Sequence, residues 1–163
     1  MAYVGDFRKW IDPVRLPVTG EPAKRTMMRL IYMSSAVKLF SPEELENMLE
    51  GHRQKNLKAG ITGLLLYKDG NFLQVLEGET AVVDDLFAKI QRDPRHRQIK
   101  MFFRESVPAR EFPNWSMAFR NLELEKDSSR EGFNSLLNQE EVNLSQFSTK
   151  VRAFLQMFLP AKN

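Results

Sequence analysis

The chain of 163 residues contains no cysteine. Disulfides, thiolate metal ligands and cysteine nucleophiles are thereby excluded together, and the composition suits a reducing compartment. Histidine is nearly absent: His52 and His96 are the only two, too few for the usual transition-metal centre. No apolar run approaches the ~20 residues of a membrane-spanning helix. Met1 to Trp10 lacks the apolar stretch of a secretory signal. Charge of one sign is scarce, since 24 basic and 21 acidic side chains leave only +3, a weak footprint for nucleic acid or an anionic surface. The chain has no P-loop, no GxGxxG and no GxSxG. The carboxylate pairs Glu43-Glu44, Asp84-Asp85 and Glu140-Glu141 fall on helical faces without a nucleophile or histidine in register. They read as solvated surface. A soluble cytoplasmic protein that is not an enzyme is expected.

What is present is the pattern of one domain with appendages. Residues 1–26 hold Pro13, Pro17, Gly20 and Pro22 without a sustained period and read as an irregular N-terminal extension. From Met28 to Ser34 the chain is apolar at alternate positions and at several others, as in a strand covered on both faces. Ser41, Pro42 and Glu44 form a helix start, with Leu45, Met48 and Leu49 as its stripe and Gly60 as its stop. Ile61 to Tyr67 and Phe72 to Leu76 are two strands joined by the turn Lys68-Asp69-Gly70-Asn71. Thr80 is expected to cap a second helix bearing Val82, Val83, Leu86, Phe87 and Ile90, which Asp93-Pro94 ends. Ile99 to Val107 and Trp115 to Phe119 complete the strands. The order predicts an α+β, ferredoxin-like five-stranded sheet over residues 27–121 with two helices on one face. Strands apolar at both parities need a second cover. Residues 122–163 supply it as two C-terminal helices, one carrying Phe133, Leu136 and Leu137, the other Phe147, Val151, Phe154, Leu155 and Phe158. The alternative role for these helices is an oligomer contact.

Three residues are odd for a plain core. Gln74 interrupts Phe72-Leu73-Gln74-Val75-Leu76, and a buried amide without partners costs about 1–3 kcal/mol. It either faces water from an edge strand or bonds a polar ligand edge inside an apolar pocket. Tyr32 is in the ordinary case a core aromatic whose hydroxyl reaches a backbone carbonyl. Asn56 is in the ordinary case a residue near a helix end. Parity sets Leu30 and Tyr32 on one face, and likewise Phe72, Gln74 and Leu76. Should that face look towards the helices, Asn56 closes a triangle of hydrogen-bonding groups suited to a flat heteroaromatic ligand.

Five segments in order carry a resemblance: RLIYMS (29–34), Asn56 with GITGLLLY (60–67), FLQVLEGE (72–79), DPRH (93–96) and FPNWSMAF (112–119). Together they resemble the BLUF domain, the flavin-binding blue-light sensor, over about Met28 to Arg120. The resemblance implies non-covalent FAD held between the two helices. It also implies that Tyr32 is the photoactive tyrosine, Gln74 the switching glutamine and Asn56 the amide on the flavin carbonyl and ring N–H. Trp115 and Met117 match the signal-relay pair on the last strand, and Asp93, Arg95 and His96 the segment that reaches the ribityl chain and phosphate. One departure stands out: the position four before Asn56, often serine in the family, is His52.

The chain is similar to short members of that family without a catalytic domain. The expected output is therefore contact with a separate signalling protein, and homo-oligomerisation is a further expectation. The competing reading is a non-photoactive ferredoxin-like binding module, with nucleic acid as its ligand. Residues 92–120 hold seven basic side chains (Arg92, Arg95, Arg97, Lys100, Arg104, Arg110, Arg120) against three acidic ones, and Phe102, Phe103 and Phe112 lie among them as candidate stacking platforms.

Overall fold

The computed structural model describes residues 27–114, 116–121 and 144–158. The N-terminal extension, Trp115 and the expected helix around Phe133 lie outside them. The elements run β1 (Met27–Ala36), α1 (Pro42–Ala59), β2 (Thr62–Lys68), β3 (Asn71–Gly78), α2 (Thr80–Gln91), β4 (His96–Val107), β5 (Ala118–Asn121) and α3 (Thr149–Phe158). A 3₁₀ turn, Leu144–Gln146, precedes α3. The strands make one sheet in the order β4-β1-β3-β2-β5. β1 through β4 pair antiparallel, and β5 lies parallel to β2.

Local chemistry sets the boundaries. Ser41 and Glu44 form a reciprocal capping box at the start of α1, and Gly60 ends that helix in the left-handed region at φ 66°. Asp69 and Gly70 both take positive φ (50° and 73°) between the paired residues Lys68 and Asn71, the twist a two-residue hairpin needs. Gly63 is fixed by a neighbour: a Cβ there would lie 1.9 Å from the Val75 carbonyl oxygen. The expected cap of α2 is displaced by one residue. Thr80 is the first helical residue, Glu79 takes the cap position, and no side chain bonds the free amides there.

Two strands also differ from expectation. β4 starts at His96, three residues before Ile99, and accommodates the added length by register shifts between Ile31 and Tyr32 and between Met33 and Ser35. Such irregularities suit an edge strand, because they spoil it as a template for further pairing. β5 is paired from Ala118 to Asn121, not from Trp115 to Phe119. The carbonyls of Ser116 and Met117 accept hydrogen bonds from Asn56 and Arg53 of α1, so the chain there is tied to a helix before it joins the sheet.

The core divides by parity. Met28, Leu30, Tyr32, Phe72 and Leu76 pack with Leu45 and Leu49 of α1 and Val83 and Phe87 of α2. Ile31, Leu64, Leu66, Leu73 and Val75 face the other way and pack with Val151, Phe154, Leu155 and Phe158 of α3. This accounts for the unbroken apolar strands: both faces are covered. No helix among the described residues is long and apolar enough to cross a membrane.

A buried ionic network fastens the α3 face. Arg29, on β1, pairs with Glu77 of β3 at 2.9 Å and with Glu111 at 2.8 Å. The Glu77 carboxylate also accepts from the backbone N–H groups of Glu111 and Phe112. Glu111 in turn accepts from the Ser148 N–H at the start of α3. One guanidinium and two carboxylates thus join the central strands, the β4–β5 connection and the last helix.

Candidate functional site

A cavity of about 230 Å³ opens on the opposite sheet face, between α1 and α2. Its floor is Tyr32, Leu65, Phe72 and Gln74; α1 contributes Met48, His52, Lys55 and Asn56; α2 contributes Leu86, Lys89 and Ile90; Asp93, Arg95 and His96 close one end. Apolar walls with a few convergent polar groups are the general signature of a small-molecule site. Six residues singled out from the sequence, Tyr32, Asn56, Gln74, Asp93, Arg95 and His96, therefore line a single cavity.

The register explains the polar floor. Tyr32 and Gln74 are direct cross-strand partners on the two central strands, and the Tyr32 hydroxyl donates to Gln74 Oε1. Gln74 Nε2 donates to Met117 Sδ at 3.3 Å. The ordinary readings of these residues fail. Gln74 is 7% exposed on an inner strand, not on a solvated edge, and the Tyr32 hydroxyl is satisfied by a side chain rather than a backbone carbonyl. Burial pushes the phenol of Tyr32 far above its ordinary value, with Asp93 adding to the shift. The group is a neutral proton donor throughout the physiological range.

Asn56 is 5% exposed, and its Nδ2 donates to Ser116 O at 3.1 Å. Its Oδ1 has no hydrogen-bond partner among the described residues. The amide of Gln74 likewise spends its donor on a thioether, a weak acceptor. Beneath apolar walls, these groups offer a flat heteroaromatic ring both donor and acceptor edges. Lys55, Lys89 and Arg95 bring cationic groups to the lining, Lys89 bonded to Asp85 and Arg95 to Asp93. The donor set therefore fits a flavin nucleotide.

At the closed end, Asp93 holds Arg95 through its side chain and accepts from the Arg95 backbone N–H. Those bonds lower the Asp93 carboxyl to about 2. His96 Nδ1 shares a hydrogen bond of 2.8 Å with Ser34 Oγ, and the ring packs on Phe72. Ser34, Lys55, Lys89 and Arg53 were not singled out from the sequence. Ser34 had a signal, because it shares the parity of Tyr32 on β1; the lysines looked like ordinary helix surface. Met117 lies beside Gln74, whereas Trp115 is outside the described residues.

His52 lines the cavity one helical turn before Asn56. Burial, then the charges of Arg95 and Lys55, lowers its pKa, and burial lowers that of His96. Both side chains are therefore disfavoured as cations in the native state. A depressed folded pKa stabilises above the unfolded value of about 6.5 and loses that contribution as pH falls through the folded value. Thermal stability is expected to fall on acidification from about pH 7 to pH 5. His52→Gln should flatten that slope, as read from the midpoint of thermal unfolding at stepped pH. An unchanged slope in this variant would remove His52 from the account.

Three of the seven basic side chains in residues 92–120 are held within the fold. Arg104 is bonded to Asp84, Arg95 to Asp93, and Arg110 to Thr62 and the carbonyls of Glu77 and Gly60. Phe112 is buried against Phe147, and Phe102 and Phe103 both pack on Phe154 of α3.

Comparison with known proteins gives the family. The family model described as BLUF, sensors of blue-light using FAD, matches residues 27–118. The photoactivated adenylate cyclase subunit alpha of Euglena gracilis is 33% identical over 100 residues, covering 60% of this chain and 10% of that protein. The blue light- and temperature-regulated antirepressor BluF of Escherichia coli K12 is 32% identical over 95 residues, 58% of this chain and 24% of that one. The chain spans about a tenth of the length of the cyclase subunits it matches. Among solved structures, the dark state of the BLUF protein BlrB aligns with a TM-score of 0.57 at 37% identity, over 61% of this chain and 76% of that one. The ground state of BlsA aligns with a TM-score of 0.58 at 31% identity, over 84% and 90% respectively.

Proposed function

Because this chain belongs to the BLUF family, we propose that it is a cytoplasmic blue-light photoreceptor holding FAD non-covalently in the cavity between α1 and α2. Asn56 and Gln74 are its ring-binding amides, and Arg95 and His96, positioned by Asp93 and Ser34, lie on the side of the ribityl chain and phosphate. The observation that carries the reading is the buried hydrogen bond from Tyr32 to Gln74 on the cavity floor. Bound there, a photoexcited flavin supplies a strong one-electron oxidant next to a phenol.

The residues then do the following. Neutral Tyr32 gives up an electron, and the resulting phenol cation is a far stronger acid. Its proton passes along the existing bond to the Gln74 amide. Gln74 would hand that proton on to the same oxidant that took the electron, so that both leave Tyr32 together, and would settle in a second rotamer or tautomer, in which its bonds to Tyr32 and Met117 differ. Recombination returns electron and proton to Tyr32 while the new bonding of Gln74 persists for a time. Met117, in contact with Gln74 Nε2 at 3.3 Å, feels the change and passes it with Trp115 to β5 and the C-terminal helices.

The output is contact with a separate signalling protein or with a second copy of the chain, rather than catalysis. The relatives' names attach light to different outputs, an adenylate cyclase in one case and an antirepressor in another. The decisive experiment is a visible absorption spectrum of the purified protein before and after blue illumination. A bound yellow chromophore with a reversible red shift is expected. A colourless protein, or a spectrum indifferent to light, overturns the reading.

A further inference from the structure

The segment entering β5 is gripped from α1 at two consecutive carbonyls. Arg53 Nε donates to Met117 O at 3.1 Å, and Asn56 Nδ2 donates to Ser116 O at 3.1 Å. Arg53 and Asn56 are three residues apart and so share a helix face. The ladder of β5 on β2 begins at the next residue, with Leu64 opposite Ala118. The grip thus falls where connecting chain becomes strand, and Met117 sits inside it.

Met117 is held at both ends. Its side chain is buried and its sulfur accepts from Gln74, while its carbonyl accepts from Arg53. The two contacts differ in strength. A thioether is a weak acceptor, whereas a bond from a charged guanidinium to a carbonyl is among the stronger kinds. The competing partner of Arg53, Glu50, is mostly exposed and lies at 4.0 Å. The Met117 carbonyl is therefore the directional partner of the guanidinium.

We propose that Arg53 is a positioning residue of the light response: its guanidinium fixes the Met117 carbonyl and so keeps the thioether seated on Gln74 in the dark. The inference rests on the photoreceptor reading above and adds to it the group that biases the relay. Once the Gln74 amide has rearranged, the sulfur contact is lost and the Arg53 bond is what holds Met117 near its dark position. Removing that bond shifts the balance of β5 arrangements towards the illuminated one, and slows the return, because Met117 is no longer presented to Gln74.

The test uses Arg53→Met, which has no donor, beside Arg53→Lys, which retains a charged one. In Arg53→Met the flavin stays bound and the red shift still forms. Its thermal decay slows by about threefold to tenfold, the range of an ordinary net hydrogen bond, at which a partly exposed charged one is set. Amide hydrogen exchange across residues 117–121 in the dark rises above that of the dark parent protein. Arg53→Lys returns both readings towards the parent. Unchanged decay and exchange in Arg53→Met overturn the proposal, as does loss of flavin in that variant with retention in Arg53→Lys, which would make Arg53 a binding residue. The dark exchange arm needs no light response. A parent protein without a red shift would therefore count against the photoreceptor reading alone.

Discussion

Tyr32→Phe is expected to bind flavin and remain yellow while showing no reversible red shift under blue light. The substitution removes one oxygen from a buried ring and keeps its packing, including the contact with Phe87 at 5.3 Å between ring centroids. The structural cost is confined to the hydroxyl. Gln74 Oε1 loses its donor, worth about 1–3 kcal/mol for a buried polar group left unsatisfied, against 5–15 kcal/mol for a typical domain. The protein should therefore fold and hold its chromophore. In the proposed mechanism the photochemistry, by contrast, loses both its electron donor and its proton, and phenylalanine replaces neither. Tyr67→Phe is the control. Tyr67 is also fully buried in the same core, but its hydroxyl accepts from the Phe40 N–H at 3.2 Å and lies on no path to Gln74. It should keep the full shift. Gln74→Leu should lose the usual shift with flavin bound, because the phenol then has no relay. A normal shift in Tyr32→Phe would remove this mechanism while leaving flavin binding intact.

How far the sequence foretells this site depends on whether the determinants are local. The capping box of Ser41 and Glu44 and the Asp69-Gly70 turn are fixed by residues within four positions of one another, and both stand in the structure as expected. The meeting of Tyr32 with Gln74 is one step less local. Parity gives each residue a face, but only the register of β1 on β3 makes them partners. The start of β5 was not legible, because it depends on Arg53 and Asn56, which lie some 60 residues away in the chain and take up the carbonyls ahead of the ladder. Arg29 and Glu77 were invisible as a pair for the same reason. A lone charge in a strand ordinarily marks a solvated face, and only the sheet brings these two together beside Glu111.

That hidden pair supports the second large effect: Arg29→Met should cost about 3–5 kcal/mol of stability, the usual penalty for breaking a buried ion pair from one side. Glu77 is fully buried at 0% exposure, and without Arg29 only the N–H groups of Glu111 and Phe112 remain to face its charge. Glu111 is left without the same guanidinium, which loosens its hold on the Ser148 N–H and hence the first turn of α3. Glu77→Gln should be milder, below about 2 kcal/mol, since it leaves no unpaired anion and Arg29 keeps Glu111. The comparison is made by urea unfolding of both variants and the parent, with hydrogen exchange of α3 as a local reading. The order of the two costs decides the matter. If Glu77→Gln proves as damaging as Arg29→Met, geometry rather than uncompensated charge governs the network. If neither variant loosens α3, the helix is held by Val151, Phe154, Leu155 and Phe158 packed on the sheet. A light signal arriving at β5 would then have to reach α3 through those apolar contacts rather than through the ionic connection that now runs from the central strands to its first turn.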